Sequence, residues 1–205
     1  IDVPIMIMNV NPDSLGILEP FNLEPEIYSI GMLNRLLDET DTPPGVQFVN
    51  EVEIFNATFG KPNNYAPTIP EKKETDFVYD FCIEEITEYQ EACQNGDIVE
   101  ILDALCDIAY VSLGNGTMLH GLKDKIWPAY QEVQGSNMSK SCSTEEEALD
   151  TVSLRTKEQA ESCHHEKVGD RYVVYRTRDR KVMKAINYYR PNLKQFFTNE
   201  ELKNV

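Results

Sequence analysis

Acidic residues at helical spacing carry the clearest chemical signal in this chain. Glu84, Glu85 and Glu88 fall in one helical pattern and Glu100, Asp103 and Asp107 in the next, with Gln94-Asn95-Gly96-Asp97 reading as a turn between them. Residues three or four apart share a helix face, so Glu85 and Glu88 project together, as do Glu100, Asp103 and Asp107. Folding the two helices into a hairpin lets the acids converge. Like charges at such proximity repel and call for protons, water or cations. Oxygen-only donors suit a hard cation such as Mg²⁺, which also takes phosphate oxygens as ligands.

A lone Glu-x-x-Glu would be read as a solvated helix face. The second cluster argues against that, because Asp103 and Asp107 stand among Leu102, Ala104, Leu105, Cys106, Ile108 and Ala109. So apolar a run predicts a helix buried on most sides, where ionised acids are costly unless paired or metal-bound. A di-iron carboxylate bundle would want two Glu-x-x-His motifs, and only Glu161-x-x-His164 fits. Cys163-His164-His165 lacks the second ligand pair of a zinc site and reads as a polar helix end.

The elements that must position these acids are mostly helical. Periodic apolar residues predict helices over Pro25–Thr40, Val46–Phe59, Glu74–Gln94, Asp97–Met118 and Gly121–Gln134, with Pro128 a kink or first-turn limit in the last. Phe77, Phe81, Ile86 and Tyr89 supply the apolar positions of the first acidic helix. In the second, Ile101, Leu105, Ile108 and Val111-Ser112 are expected to face inward. Residues 1–24 and the proline-bearing stretch after Gly60-Lys61-Pro62 read as irregular. Ser143-Thr144 followed by Glu145-Glu146-Glu147 resembles a helix cap, opening a helix expected over Thr144–Glu166. Tyr172–Tyr175 and Lys181–Met183, across Arg178-Asp179, are expected to form a small hairpin, and Thr198–Glu201 to cap a short terminal helix.

Composition narrows the function further. The 205 residues hold 41% hydrophobic residues, enough for a core, and 35 acidic against 19 basic residues, for a net charge of −16. That balance argues against a nucleic-acid polymer as partner, while a free nucleotide remains compatible because a bound metal inverts the local field. No apolar run approaches membrane-spanning length. The apolar opening Ile1–Met8 is short and lacks the basic flank of a signal peptide, and a start without Met leads to the expectation of a processed or trimmed product. Five cysteines at irregular spacing fit no disulfide framework. Cys82, Cys93 and Cys106 are expected as small buried residues, and a reducing cytoplasm is the expected compartment.

Taken in order, these motifs resemble the all-α nucleoside triphosphate pyrophosphohydrolases, the MazG-like and phosphoribosyl-ATP pyrophosphohydrolase-like group. Glu84-Glu85-Ile86-Thr87-Glu88 is similar to the family's first acidic motif and Asp103–Val111 to its second. The likeness extends through Gly114, His120-Gly121-Leu122 and the Asn-x-Ser-Lys-like Asn137-Met138-Ser139-Lys140. Upstream, Glu53–Pro62 looks like the family's leading helix. Downstream, Lys181–Lys184 and Asn187–Pro191 look like its Lys-x-x-Lys and Asn-Tyr-x-x-Pro elements. One departure is Ala104, where family members often carry Glu three residues before the final Asp. Here Asp103 lies one residue earlier and Glu100 a turn further back.

The resemblance implies a MazG-like helical bundle with a small C-terminal β-hairpin. It occupies residues 48–197, with 141–170 a variable insertion, 1–47 an N-terminal extension and 198–205 a tail. It implies hydrolysis of a nucleoside triphosphate to the monophosphate and pyrophosphate, with Mg²⁺ or Mn²⁺ held by Glu85, Glu88, Asp103 and Asp107, and Glu84 and Glu100 next in line. Glu84 or Glu88 would orient the water or accept its proton, and Asn137, Lys140, Lys184 and Tyr188 would contact the substrate. The family's habit of association implies a homo-oligomer, a dimer or tetramer. Competing readings are a helical interaction module without catalysis and a nucleotide sensor.

Overall fold

The computed structural model describes residues 44–204. The helix expected over Pro25–Thr40, with the rest of residues 1–43, lies outside the described residues. The chain divides into two compact units, one ending at Lys123 and the other beginning at Asp124.

The first unit is helical. Helix α1 spans Pro44–Thr58, α2 spans Lys72–Asn95 and α3 spans Ile98–Ala109. A π-helical segment, Tyr110–Asn115, and a short α4, Gly116–Leu119, continue from α3. The expected single helix from Asp97 to Met118 is therefore interrupted by a stretch of wider winding, a local change in the i→i−4 ladder that no apolar periodicity announces.

Local chemistry fixes the α2–α3 hairpin. Glu74 reaches back to accept the backbone N–H of Glu71 at the start of α2. At its other end Gly96, at φ 68°, takes the left-handed conformation that closes a helix at little cost only for glycine. Asp97 then caps α3, its Oδ1 accepting the N–H groups of Val99 at 3.0 Å and Glu100 at 3.3 Å. The two helices pack together through small residues, Ala92 on α2 and Ala104 on α3, which are the buried residues of each.

The core of this unit lies elsewhere, where α1 meets the π-helical segment and α4. Val49, Val52, Val111, Met118 and Leu119 are buried there, and the Phe55 ring packs edge-on against Tyr110 at 5.6 Å. Burial of the acidic hairpin is less than the sequence pattern predicts. Phe77, Phe81, Ile86, Tyr89 and Leu105 are exposed among the described residues, as is Ser112. Cys93 and Cys106 are exposed too, and Cys82 is half-buried, so the expectation of three buried thiols is corrected. Among the described residues these two helices pack on each other and on the π-helical segment, which leaves the apolar residues of their other faces uncovered.

The second unit holds most of α5, Lys123–Met138, then α6, Glu145–Gln159, and the antiparallel strands β1, Cys163–Val168, and β2, Arg171–Arg176. Thr144 caps α6, accepting the N–H of Glu147 at 3.2 Å. The helix stops at Gln159, seven residues before the expected end at Glu166, because Cys163-His164-His165 opens β1 instead of closing a helix. The hairpin turns at Gly169-Asp170 rather than at Arg178-Asp179. The anticipated pairing survives as a single bridge between Tyr175 and Val182, with Met183 N–H donating to Val174 O at 2.8 Å. Cys142, Ala148, Cys163, Val174, Met183 and Ala185 form the core here. The mostly helical architecture with a small C-terminal hairpin is as expected. Among the described residues, no helix is long and apolar enough to cross a membrane.

Gly114 sets how closely the π-helical segment approaches α1. A Cβ at this position would overlap the side chain of Val52, which is fully buried. Gly114→Ala is expected to cost about 1–3 kcal/mol, as overpacking does, read as a lower urea midpoint with an unchanged slope.

Candidate active site

Glu85 lies ten residues before the end of α2 and Asp107 nine after the start of α3, so the hairpin sets them level with each other. Both are half-buried; Glu84, Glu88, Asp103 and Glu100 are exposed. The Glu85 carboxyl titrates above the ordinary carboxylate range. Burial is the largest cause, followed by the charges of Asp107, Glu88, Glu84 and Asp103. Four of the other five acids singled out by spacing thus act on Glu85. Glu100 is not among the charges that raise Glu85; it sits one turn into α3, its N–H taken by the Asp97 cap.

The donor set is carboxylate alone, which fits a hard divalent cation. Among the described residues, however, no three His, Cys, Asp or Glu side chains are arranged to hold a metal ion. Concentrated charge is therefore present without a closed coordination cage.

Beside the acidic hairpin the first unit has a cavity of about 1160 Å³ lined by Lys61, Pro62, Glu71–Glu74, Asp76, Phe77, Asp80 and Leu119. Asp80 is one helical turn before Glu84. Lys61 Nζ lies 5.2 Å from the Phe55 ring centre and 5.8 Å from that of Phe77. Acid spacing does not disclose this cavity, because its walls come from the loop before α2 as well as from α2. Glu53 and Asn56 were also missed. Both are buried on α1, Glu53 ion-paired with Lys123 and Asn56 donating to Asn63 Oδ1 at 3.0 Å. Their signal was polar residues at a spacing of three, on the same face as Val49 and Val52.

The four residues expected to contact substrate come together in the second unit. Lys140 Nζ donates to Asn137 Oδ1 at 2.8 Å, and Lys184 Nζ lies 4.5 Å from the centre of the Tyr188 ring. The Tyr188 hydroxyl titrates below its ordinary value, chiefly because Ser136 hydrogen-bonds to it and then because Lys184, Lys140 and Arg190 are near. In the Cys163-His164-His165 triplet, His164 sits 3.3 Å from Glu166 and His165 3.5 Å from Glu145.

Two helices joined by a tight turn thus gather carboxylates across an all-α hairpin. Residues 52–137 match the family model of phosphoribosyl-ATP pyrophosphohydrolase, and the likeness to the MazG-like, all-α nucleoside triphosphate pyrophosphohydrolases is borne out over that segment. The family implies pyrophosphohydrolase activity on a nucleotide. The match ends at Asn137, so Lys140, Lys184 and Tyr188 lie beyond it. No curated protein and no solved structure gives a significant match.

The raised titration of Glu85 fixes the sign of a stability effect. The folded state binds this proton more tightly than the unfolded chain does, so the contribution is complete below the ordinary carboxylate range and lost as pH rises through the Glu85 value. Glu85→Gln is therefore expected to raise the melting temperature at pH 7 in chelator. The gain should shrink toward zero near pH 4; an equal gain at both values would refute the charge explanation.

Proposed function

We propose that this protein is a metal-dependent nucleoside triphosphate pyrophosphohydrolase, releasing pyrophosphate and leaving the monophosphate. The observation that carries the reading is the convergence of Asp107, Glu88, Glu84 and Asp103 on the half-buried Glu85, inside the segment that matches a pyrophosphohydrolase family. Glu85, Glu88, Asp103 and Asp107 are the proposed ligands of Mg²⁺ or Mn²⁺, with Glu84 close by and Glu100 the least favoured by position. Exposed glutamates change rotamer at small cost, so the set can draw together around a cation. When bound, the ion supplies charge neutralisation at the phosphates and acidifies a water.

The remaining chemistry belongs to the side chains. Glu84 and Glu88, exposed on α2, are assigned the roles of orienting water and accepting its proton. Lys61 and Lys73 give the adjoining cavity positive groups for phosphates, Lys72 being paired with Asp76, and Phe77 gives it an aromatic face. In the second unit Asn137, Lys140, Lys184 and Tyr188 are assigned contact with substrate. A role in clearing nucleotides from the cytoplasmic pool suits an acidic chain whose five cysteines are all free.

The test is pyrophosphate release from a panel of ribo- and deoxynucleoside triphosphates, with Mg²⁺, Mn²⁺ or chelator. Release is expected with metal only, and Glu85→Gln or Asp107→Asn should lower it by on the order of 100-fold or more. Absence of release from folded protein that binds nucleotide would favour the sensor reading.

We also infer a homo-oligomer, a dimer or tetramer. Ile98 is 74% exposed, Leu102 63% and Leu105 49% on α3, with Phe77 and Phe81 exposed on α2. Apolar surface of this extent usually marks an interface. Sedimentation equilibrium should give a mass that is a multiple of 23.5 kDa, and Leu102→Glu should reduce it toward the single chain. A wild-type chain monomeric at every concentration would rule the assembly out.

A further inference from the structure

A second concavity, about 310 Å³, lies wholly within the second unit and is lined by Lys140, Arg155, Gln159, Arg176, Lys181, Val182, Met183 and Lys184. Five of those eight residues are cationic and none is acidic, in a chain with 35 acidic residues and a net charge of −16. Random placement of such a composition would put carboxylates among the lysines.

The two arginines are engaged with the protein itself. Arg155 donates Nε to Lys184 O at 2.8 Å and pairs with Glu158, which pins the backbone that carries Lys184. Arg176 grips Asp179 with two hydrogen bonds, at 2.9 and 2.5 Å, holding the turn that leads into Lys181. Asp179 is correspondingly depressed to about 2, first by Arg176.

The three lysines are different. Lys140 bonds only the neutral Asn137 and Lys184 lies over the Tyr188 ring. Neither these two nor Lys181 has a carboxylate partner among the described residues. The arginines thus set the walls, and the lysines leave about three positive charges unbalanced over an apolar floor of Val182 and Met183.

We propose that this pocket binds a polyphosphate anion, its lysines gripping two linked phosphate groups. Ammonium groups are point-charge donors suited to phosphate, and a cavity of this volume falls at the low end for small-molecule sites, roughly 300–1,000 Å³. Pyrophosphate and the phosphate chain of a nucleotide share this chemistry. Their availability rests on the nucleotide reading above; the pocket's charge does not. Lys181, Arg155 and Arg176 join Lys140 and Lys184 as determinants, all beyond the segment matched to the family.

The experiment is calorimetric titration of the full chain with inorganic pyrophosphate in chelator, which keeps cation-mediated binding at the acids out of the signal. One saturable event is expected for wild type and for Glu85→Gln, weakening as salt rises. Lys181→Gln and Lys184→Gln, both exposed positions, should each bind about tenfold more weakly, while Lys203→Gln, at an exposed position outside the pocket, should bind as wild type. No uptake by wild type, or uptake unchanged in both pocket variants, overturns the proposal. A non-hydrolysable nucleoside triphosphate that displaces pyrophosphate identifies the nucleotide chain as occupant; failure to displace it identifies free pyrophosphate. Binding through the lysines in a chain that releases no pyrophosphate from any nucleotide would uphold this site and remove the enzymatic reading.

Discussion

Charge repulsion across the α2–α3 hairpin is the constraint around which the first unit is arranged. Bringing Glu85 level with Asp107, with Glu84, Glu88 and Asp103 in range, works against folding at neutral pH. The hairpin survives because its ends are secured by groups remote from the acids. Gly96 supplies the left-handed turn, and Asp97 satisfies two N–H groups at the start of α3. Ala92 and Ala104 let the backbones approach. Core burial is delegated to α1, the π-helical segment and α4. Stability and chemistry are thus separated along the chain, the usual arrangement when a site must hold an unfavourable charge density.

The second unit solves an opposite problem. Its core is small, built on Cys142, Val174 and Met183, and its strands are short, so ion pairs and caps do more of the ordering. Asp179 and Glu201 are each pulled down to about 2, by Arg176 and Lys125 respectively. Both pairs are only partly buried, so screening still weakens each; the Arg176–Asp179 pair chooses one path for the turn that follows β2. That choice sets the backbone of Lys181 and Lys184.

Spacing disclosed the acidic hairpin because helical periodicity depends on a few local residues. Glu85, Glu88, Asp103 and Asp107 needed only a 3.6-residue period and a turn at Asn95-Gly96 to be placed near each other. Burial was less legible. Phe81, Leu105 and Cys106 have core-like composition, but whether a helix face is covered depends on what packs on it, which is a non-local property. The strand error has the same root. His164 and His165 follow a charged helix whose propensity runs on, while the pairing with Tyr175 and Val174 that converts them into a strand lies about ten residues away. The cavity at Lys61 and the lysine pocket both gather residues from distant elements, so neither leaves a short motif.

Ala104 links the charge of the hairpin to its apolar surface. Position 104 is buried, and an ionised glutamate there would be costly; the acids fall instead at 103 and 107. With 100° between successive residues, Asp103 stands beside Leu102 rather than on the contact line. The apolar stripe of Ile98, Leu102 and Leu105 and the acidic stripe of Asp103 and Asp107 are therefore neighbours on one helix. Anything that covers the apolar stripe lowers the local dielectric beside the acids, which strengthens both their repulsion and their attraction for a cation. On the proposed assembly, association and the charge state of Glu85 are coupled quantities, because α3 presents both the apolar stripe and two of the acids, Asp103 and Asp107, that raise Glu85.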